Sequence, residues 1–244
     1  MEIIIIIGLI LLAIGSYLLG SVCWAIIIGK FAIKEDIRTL GDRNPGAYNV
    51  GKSLGAKRGL LVMFSDSLKG MIPAIIATTI NFKEYQKWAI GLAGTMAVLG
   101  HCYPIFFGFK GGNGYSTIFG FMLFYNPSMV LEWGILVFVL TLIFQYIRPM
   151  QMIAITITGI TGFFIKWPFY WWNIMPRLST EIAMNTIPIL VLVIAVIQLP
   201  RFIPYFIGMV KGTEEKINFF AIFGGGNNKE TKKNGQVLIN SHEK

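Results

Sequence analysis

Residues 3–28 read IIIIIGLILLAIGSYLLGSVCWAIII, an apolar run without a single charge. An α-helix needs about 20 such residues to cross the hydrocarbon core of a bilayer, so this stretch is long enough to span one. Only Glu2 and Met1 precede it, with no basic segment, and Lys30 and Lys34 follow it. That order is not the order of a cleavable signal peptide. By the positive-inside rule the basic flank stays in the cytoplasm, which puts the N-terminus outside and residues 30–58 inside.

The rest of the chain continues the pattern. With 55% hydrophobic and 14% charged residues and a mean hydropathy of +0.64, it has too little polar surface for a soluble globule of 244 residues. Further spans are expected at about 59–80, 89–108, 115–131, 133–147, 151–166 and 186–207. The fold class is therefore all-α, a polytopic membrane bundle of seven helices with a cytoplasmic C-terminus. This topology leaves sixteen Lys and Arg inside and four outside, a bias that favours it over its inverse. The division of 115–147 rests on Asn126-Pro127 and Glu132, because a single helix of that length would overshoot the bilayer. Trp167, Tyr170, Trp171 and Trp172 read as an aromatic belt at the outer interface. Residues 1–217 form one membrane domain, and the polar tail 218–244 is expected to be disordered.

Several function classes drop out. The net charge of +9 comes from loops and tail and accompanies no nucleic-acid motif, so membrane orientation explains it. Cys23 and Cys102 lie in apolar spans without metal-ligand spacing, and neither a metal nor a cofactor is expected. There is no HExxH, no nucleophile elbow and no His-x4-Asp, so any catalysis works by positioning and electrostatics.

Three polar stretches reach the cytoplasmic side. The first is Gly41-Asp42-Arg43-Asn44-Pro45-Gly46-Ala47-Tyr48-Asn49-Val50-Gly51-Lys52. Its glycines, asparagines and two cations suit a backbone cradle for a small phosphorylated ligand, and equally suit a surface loop whose cations only set orientation. The second runs from Gly100-His101-Cys102-Tyr103-Pro104 into Lys110-Gly111-Gly112-Asn113-Gly114-Tyr115-Ser116-Thr117, where glycines ahead of an apolar helix offer N–H groups to phosphate oxygens. The third, Lys211-Gly212-Thr213-Glu214, reads as a helix stop. Within the spans, Asp66 and Lys69 lie three apart on one helical face and read as a structural ion pair.

In order and spacing these stretches resemble the bacterial acyl-phosphate:glycerol-3-phosphate acyltransferases, the PlsY family. The resemblance runs from Tyr17-Leu18-Leu19-Gly20-Ser21 through Asp36-Ile37-Arg38, the first loop, Asp66-Ser67-Leu68-Lys69-Gly70, Gly100-His101 and Lys110-Gly111-Gly112 to Gly212-Thr213-Glu214. It implies transfer of a fatty acyl group from acyl phosphate to the 1-hydroxyl of glycerol 3-phosphate, at the cytoplasmic side of a bacterial plasma membrane. The products would be lysophosphatidic acid and phosphate, made with no cofactor. The partners implied are these two substrates and membrane lipid, with no nucleic acid, and the oligomeric state, a monomer among the options, is left open. His101, Asn44 and Lys110 are the catalytic candidates. Asp42, Arg43, Gly46, Asn49, Lys52, Gly111, Gly112, Asn113, Gly114, Ser116 and Thr117 are the phosphate-site candidates, with Asp66, Lys69 and Glu214 as charged support.

The chain departs from the family pattern at defined points. The family's first-loop serine, second glycine and final arginine are Asp42, Arg43 and Lys52 here, and its second lysine of the next loop is Asn113. The His-x-x-Asn pair ahead of Gly-Thr-Glu is replaced by Phe202 and Tyr205. Arg43 is expected to neutralise Asp42 and to take over phosphate contact. Two other readings follow from the departures and the intramembrane charges: a paralogue that acylates another polyol phosphate or, without catalysis, binds a phosphorylated lipid precursor, and a small transporter using Asp66 and Lys69.

Overall fold

The computed structural model describes residues 2–165 and 182–217 and is all-helical there. The expected aromatic belt falls mostly on 166–181 and the expected disordered tail on 218–244, both outside the described residues. The elements are α1 (Glu2–Gly20), α2 (Trp24–Ile33), α3 (Ala47–Leu54), α4 (Ala56–Thr79), α5 (Gln86–Cys102), α6 (Tyr115–Tyr125), α7 (Pro127–Phe144), α8 (Ile147–Thr161) and α9 (Ile182–Val210).

Among the described residues five segments are long and apolar enough to cross a membrane: Glu2–Ile33, Ala56–Thr79, Lys83–Phe107, Pro127–Phe144 and Pro188–Val210. Each of the seven expected spans falls on a helix or helix pair, but α6 has 11 residues and α8 has 15. At 1.5 Å per residue α6 is only about 16 Å long, roughly half the hydrocarbon thickness. Gly111, Gly112, Asn113 and Gly114, which lead into it, are buried, so its N-terminus starts inside the bundle.

The break before α7 sits earlier than the spans 115–131 and 133–147 anticipate. Asn126 ends α6, and its side-chain oxygen accepts from the N–H groups of Ser128 and Met129 at 3.1 and 3.3 Å, with Pro127 in the first turn of α7. An asparagine cap followed by proline is a strong helix start. Glu132 is consequently an interior residue of α7, where it accepts from Thr161 of α8.

The helix α5 is the axis of the bundle. It packs on α1, α4, α6 and α9, and its Ala89, Ile90, Ala93, Ala97 and Val98 are fully buried. Small residues on this face let neighbouring backbones come close, which is how helices associate when lipid supplies no hydrophobic drive between them. The same device sets α4 against α6. A Cβ on Gly70 would lie 2.0 Å from the Thr117 carbonyl oxygen, and one on Gly120 would lie 1.9 Å from that of Ser67. That crossing places the start of α6 beside Asp66.

The first polar loop is not all coil. Its second half folds as α3, which buries Asn49 and Val50 against a small core of Cys23, Ile26, Ile37 and Val62. Glycine and asparagine are poor helix formers, so tertiary burial overrides their propensity here.

Candidate active site

The first loop is held by its own side chains. Asp36 accepts from the Arg38 backbone N–H at 3.0 Å and receives a forked ion pair from the Arg38 guanidinium, 2.7 Å at its shortest. The guanidinium beside it holds the Asp36 carboxyl below its usual range. The remaining Arg38 donor, Nη1, reaches across to the carbonyls of Phe107 and Lys110 at 3.0 and 3.1 Å. Arg38 thus joins the first loop to the second, a role that its place in the sequence does not announce. Asn49 Nδ2 donates to the carbonyls of Ile37 and Leu40 at 3.2 and 3.0 Å, while its Oδ1 accepts from Ser53. Asn49 is a brace behind the loop, with no face on the cavity described next.

A cavity of about 810 Å³ opens between α3, α4, α6 and α8. Asp42, Asn44, Gly46 and Lys52 line it from the first loop and α3, Asn113, Gly114, Tyr115 and Ser116 from the start of α6, and Asp66 and His101 from the interior. Leu60, Met63 and Ile147 form apolar wall, and Leu60 and Met63 also belong to the exposed hydrophobic surface. One space therefore adjoins a polar floor and a lipid-facing flank.

The floor is a buried charge cluster. Lys69 Nζ lies 2.9 Å from Asp66 Oδ1 and donates to the Val22 carbonyl at 2.8 Å, and both side chains are at most 2% exposed. His101 Nδ1 lies 3.8 Å from the same carboxylate and 3.1 Å from Thr117 Oγ1. The other ring nitrogen faces Gly112, where a Cβ would come within 2.4 Å of His101 Nε2. Only glycine leaves that edge of the imidazole open. Of the buried side-chain atoms without a hydrogen bond among the described residues, Asn44 Oδ1, Asp66 Oδ2 and the Tyr115 hydroxyl belong to residues that line this cavity, while Asp66 Oδ1 is held by Lys69. Buried polar atoms are nearly always satisfied, so orphans on one cavity wall mark where a ligand or water binds.

The glycine loop before α6 has a different job from the expected one at two positions. The N–H groups of Gly111 and Gly112 donate to the carbonyls of Cys102 and His101, both at 3.2 Å, and Arg201 donates to the Gly111 carbonyl. These bonds shape the loop and leave the two glycines no donor for phosphate. The first turn of α6, led by Gly114 at φ +87°, lines the cavity with residues whose N–H groups have no partner within the helix. Gln198 Nε2 donates to the Asn113 carbonyl, and Asn113 Nδ2 reaches the Tyr205 hydroxyl at 3.4 Å.

Two further candidates sit elsewhere. Lys110 is exposed and off the cavity wall, as is Arg43, which adopts φ +62°. The charge partner of Asp42 is not Arg43 but Arg148, at the start of α8, which donates to Asp42 Oδ2 and at 2.9 Å to Glu214. The neutralising role expected of Arg43 thus belongs to a residue 106 positions away from Asp42. Lys52 pairs with Glu215 at 2.7 Å, and that carboxylate holds its ammonium above the usual range. Arg148 carried no motif of its own; the only hint to it was a lone cation between two apolar segments.

Comparison with known proteins agrees with the arrangement. The family model described as glycerol-3-phosphate acyltransferase matches residues 10–209. The glycerol-3-phosphate acyltransferase of Neisseria gonorrhoeae is 32% identical over 203 residues, covering 83% of this chain and 94% of that one. That of Aquifex aeolicus is 45% identical over 120 residues, covering 49% of this chain and 61% of the relative's length. The crystal structure of PlsY (YgiH), an integral membrane glycerol 3-phosphate acyltransferase, in its glycerol 3-phosphate form superimposes with a TM-score of 0.71 at 29% identity, covering 88% of this chain and 98% of that one. A match this long, with the same overall fold, makes the chain a member of the glycerol-3-phosphate acyltransferase family.

Proposed function

We propose that the protein transfers a fatty acyl group from acyl phosphate to the 1-hydroxyl of glycerol 3-phosphate, releasing lysophosphatidic acid and phosphate. The observation that carries the reading is the cavity, which adjoins a helix N-terminus, orphaned buried polar atoms and a lipid-facing apolar flank. A phosphorylated head fits the first two and an acyl chain fits the third. An acyl phosphate is a mixed anhydride, so its phosphate leaves readily. The acceptor oxygen attacks the acyl carbon, the bond to the phosphate oxygen breaks with its electron pair, and the hydroxyl proton passes to a phosphate oxygen. The enzyme supplies position and charge: α6 N–H groups, Asn44 and Ser116 for the phosphates, Lys52 as a cation, and His101 at the floor, oriented by Asp66 and Thr117. Lys110, outside the wall, acts through its loop rather than on the substrate. The catalytic chemistry faces the cytoplasm of a bacterial plasma membrane, in a seven-span chain with its N-terminus outside.

The test is turnover of labelled glycerol 3-phosphate by purified protein given palmitoyl phosphate, acyl-CoA or acyl carrier protein as donor. Lysophosphatidate from acyl phosphate alone is the expected result, and product only from a thioester donor would refute it. One observation favours a second reading, acylation of a different polyol phosphate: four of the six departures from the family pattern, Asp42, Asn113, Phe202 and Tyr205, are joined in one chain of contacts through Arg148 and Tyr205. Competing acceptors in the same assay separate the two readings.

A further inference from the structure

The segment after α9 crosses the cavity mouth as a strap. Gly212 at φ +68° turns the chain, and the N–H groups of Thr213 and Glu214 close back on the Gly208 carbonyl at 2.8 and 3.1 Å. Glu214 then meets Arg148, Glu215 meets Lys52, and Lys216 lies 5.5 Å over the Tyr146 ring. Ile217 N–H donates to the Gln145 carbonyl at 2.8 Å. The strap is therefore fixed to α3 and to the turn ahead of α8 by contacts of three kinds.

Charge decides what this arrangement does. With the strap down, Arg148 and Lys52 are each paired to a strap carboxylate, and together with Asp42 these carboxylates leave neither cation open to a phosphate. With the strap lifted, Arg148 and Lys52 exceed Asp42 and the wall turns positive. Arg148 does not need to move for this. Its guanidinium is stacked over Tyr205 at 5.0 Å and Tyr48 at 5.6 Å and is held by Asp42. A planar guanidinium fixed in this way presents its remaining donors to whichever anion takes the place of Glu214.

We infer that Arg148 is a phosphate-binding residue of this protein, and that the phosphate group of a substrate displaces Glu214 from Arg148 and Glu215 from Lys52, lifting the strap. The inference rests on the acyl-transfer reading only for the identity of the substrate. The exchange itself requires an anion and the two cations.

Two experiments on the full chain in lipid nanodiscs test it. In a Glu214→Gln, Glu215→Gln protein the cations are released, and inorganic phosphate should bind at least about fivefold more tightly, taking about 0.5 kcal/mol per pair as a lower bound because Arg148 and Glu214 are only 11% and 10% exposed. Unchanged or weaker binding overturns the exchange. In a Gln145→Cys, Ile217→Cys protein, oxidation pins the strap where the backbone bond already holds it. Phosphate binding should then fall at least tenfold and return with reductant, whereas full binding by the cross-linked form overturns the proposal. Tighter phosphate binding without lysophosphatidate formation under any donor would retire the acyl-transfer reading and keep the exchange. Normal acylation by cross-linked protein would do the reverse.

Discussion

The two sides of the cavity hold their charges in opposite ways. At the floor, Asp66, Lys69 and His101 are at most 3% exposed and locked between α4, α5 and α6. At the mouth the pairing is graded: Arg148 and Glu214 are 11% and 10% exposed, while Lys52 and Glu215 are each 55% exposed and pair across 163 residues of sequence through flexible side chains. A buried pair is costly to break and worth little to exchange, while an exposed pair is weak and easily replaced. The floor is built to fix geometry, and the mouth to trade partners with a substrate.

The largest expected effect breaks the floor. Lys69→Ala leaves Asp66 buried and uncompensated and should cost about 3–5 kcal/mol, seen as a large fall in melting temperature. Replacing both charges, Asp66→Asn with Lys69→Met, should restore most of that stability but not the activity, since the carboxylate that faces His101 is gone. A double variant with normal turnover would reduce the pair to a purely structural role. His101→Ala should lower kcat by about 10²–10³ with little change in acceptor KM, the signature of a positioned polar group that stabilises the transition state without taking the proton.

A middle-sized effect is expected at the joint between the loops. Arg38→Lys keeps a charge but loses the fork that holds Asp36 together with the Phe107 and Lys110 carbonyls. Turnover should fall roughly tenfold through misplacement of the second loop. Because the folded-state Asp36 carboxyl is depressed, the contribution of this pair to stability is complete above the ordinary value of 3.8 and is lost as pH falls through the lower folded-state value. Acid unfolding of Arg38→Lys should therefore begin at higher pH than that of the parent.

The smallest effect is expected at Arg43. Exposed and away from the cavity, Arg43→Ala should change acceptor KM by less than about twofold, in line with other surface substitutions. A sharp rise in KM would return phosphate contact to Arg43 and weaken the case for Arg148.

Much of this architecture was legible from residues alone. An uncharged run from Ile3 to Ile28 and further apolar segments name a helical membrane protein without any tertiary information, because backbone groups in lipid must be satisfied within each helix. The glycine loops around Asn44 and Gly114, with His101 between them, could be located as polar interruptions of apolar spans, and their order along the chain, more than their residue types, marked them as a site. The chain itself also determined the break at Asn126-Pro127, although its placement shifted by several residues because the cap, and not the charge at Glu132, starts α7.

Only the tertiary structure decided which groups meet. Gly111 and Gly112 look like phosphate donors in sequence, but the carbonyls of Cys102 and His101 engage them. Asn49 looks like a ligand contact and turns out to be a brace. Arg148 looks like an isolated cation and turns out to neutralise Asp42 and to reach Glu214, contacts spanning 106 and 66 residues. Sequence periodicity reports which face of a helix avoids water or seeks lipid. It says nothing of which buried donor finds which acceptor, because that depends on crossings such as Gly70 against Thr117, where one missing Cβ sets the distance between two helices.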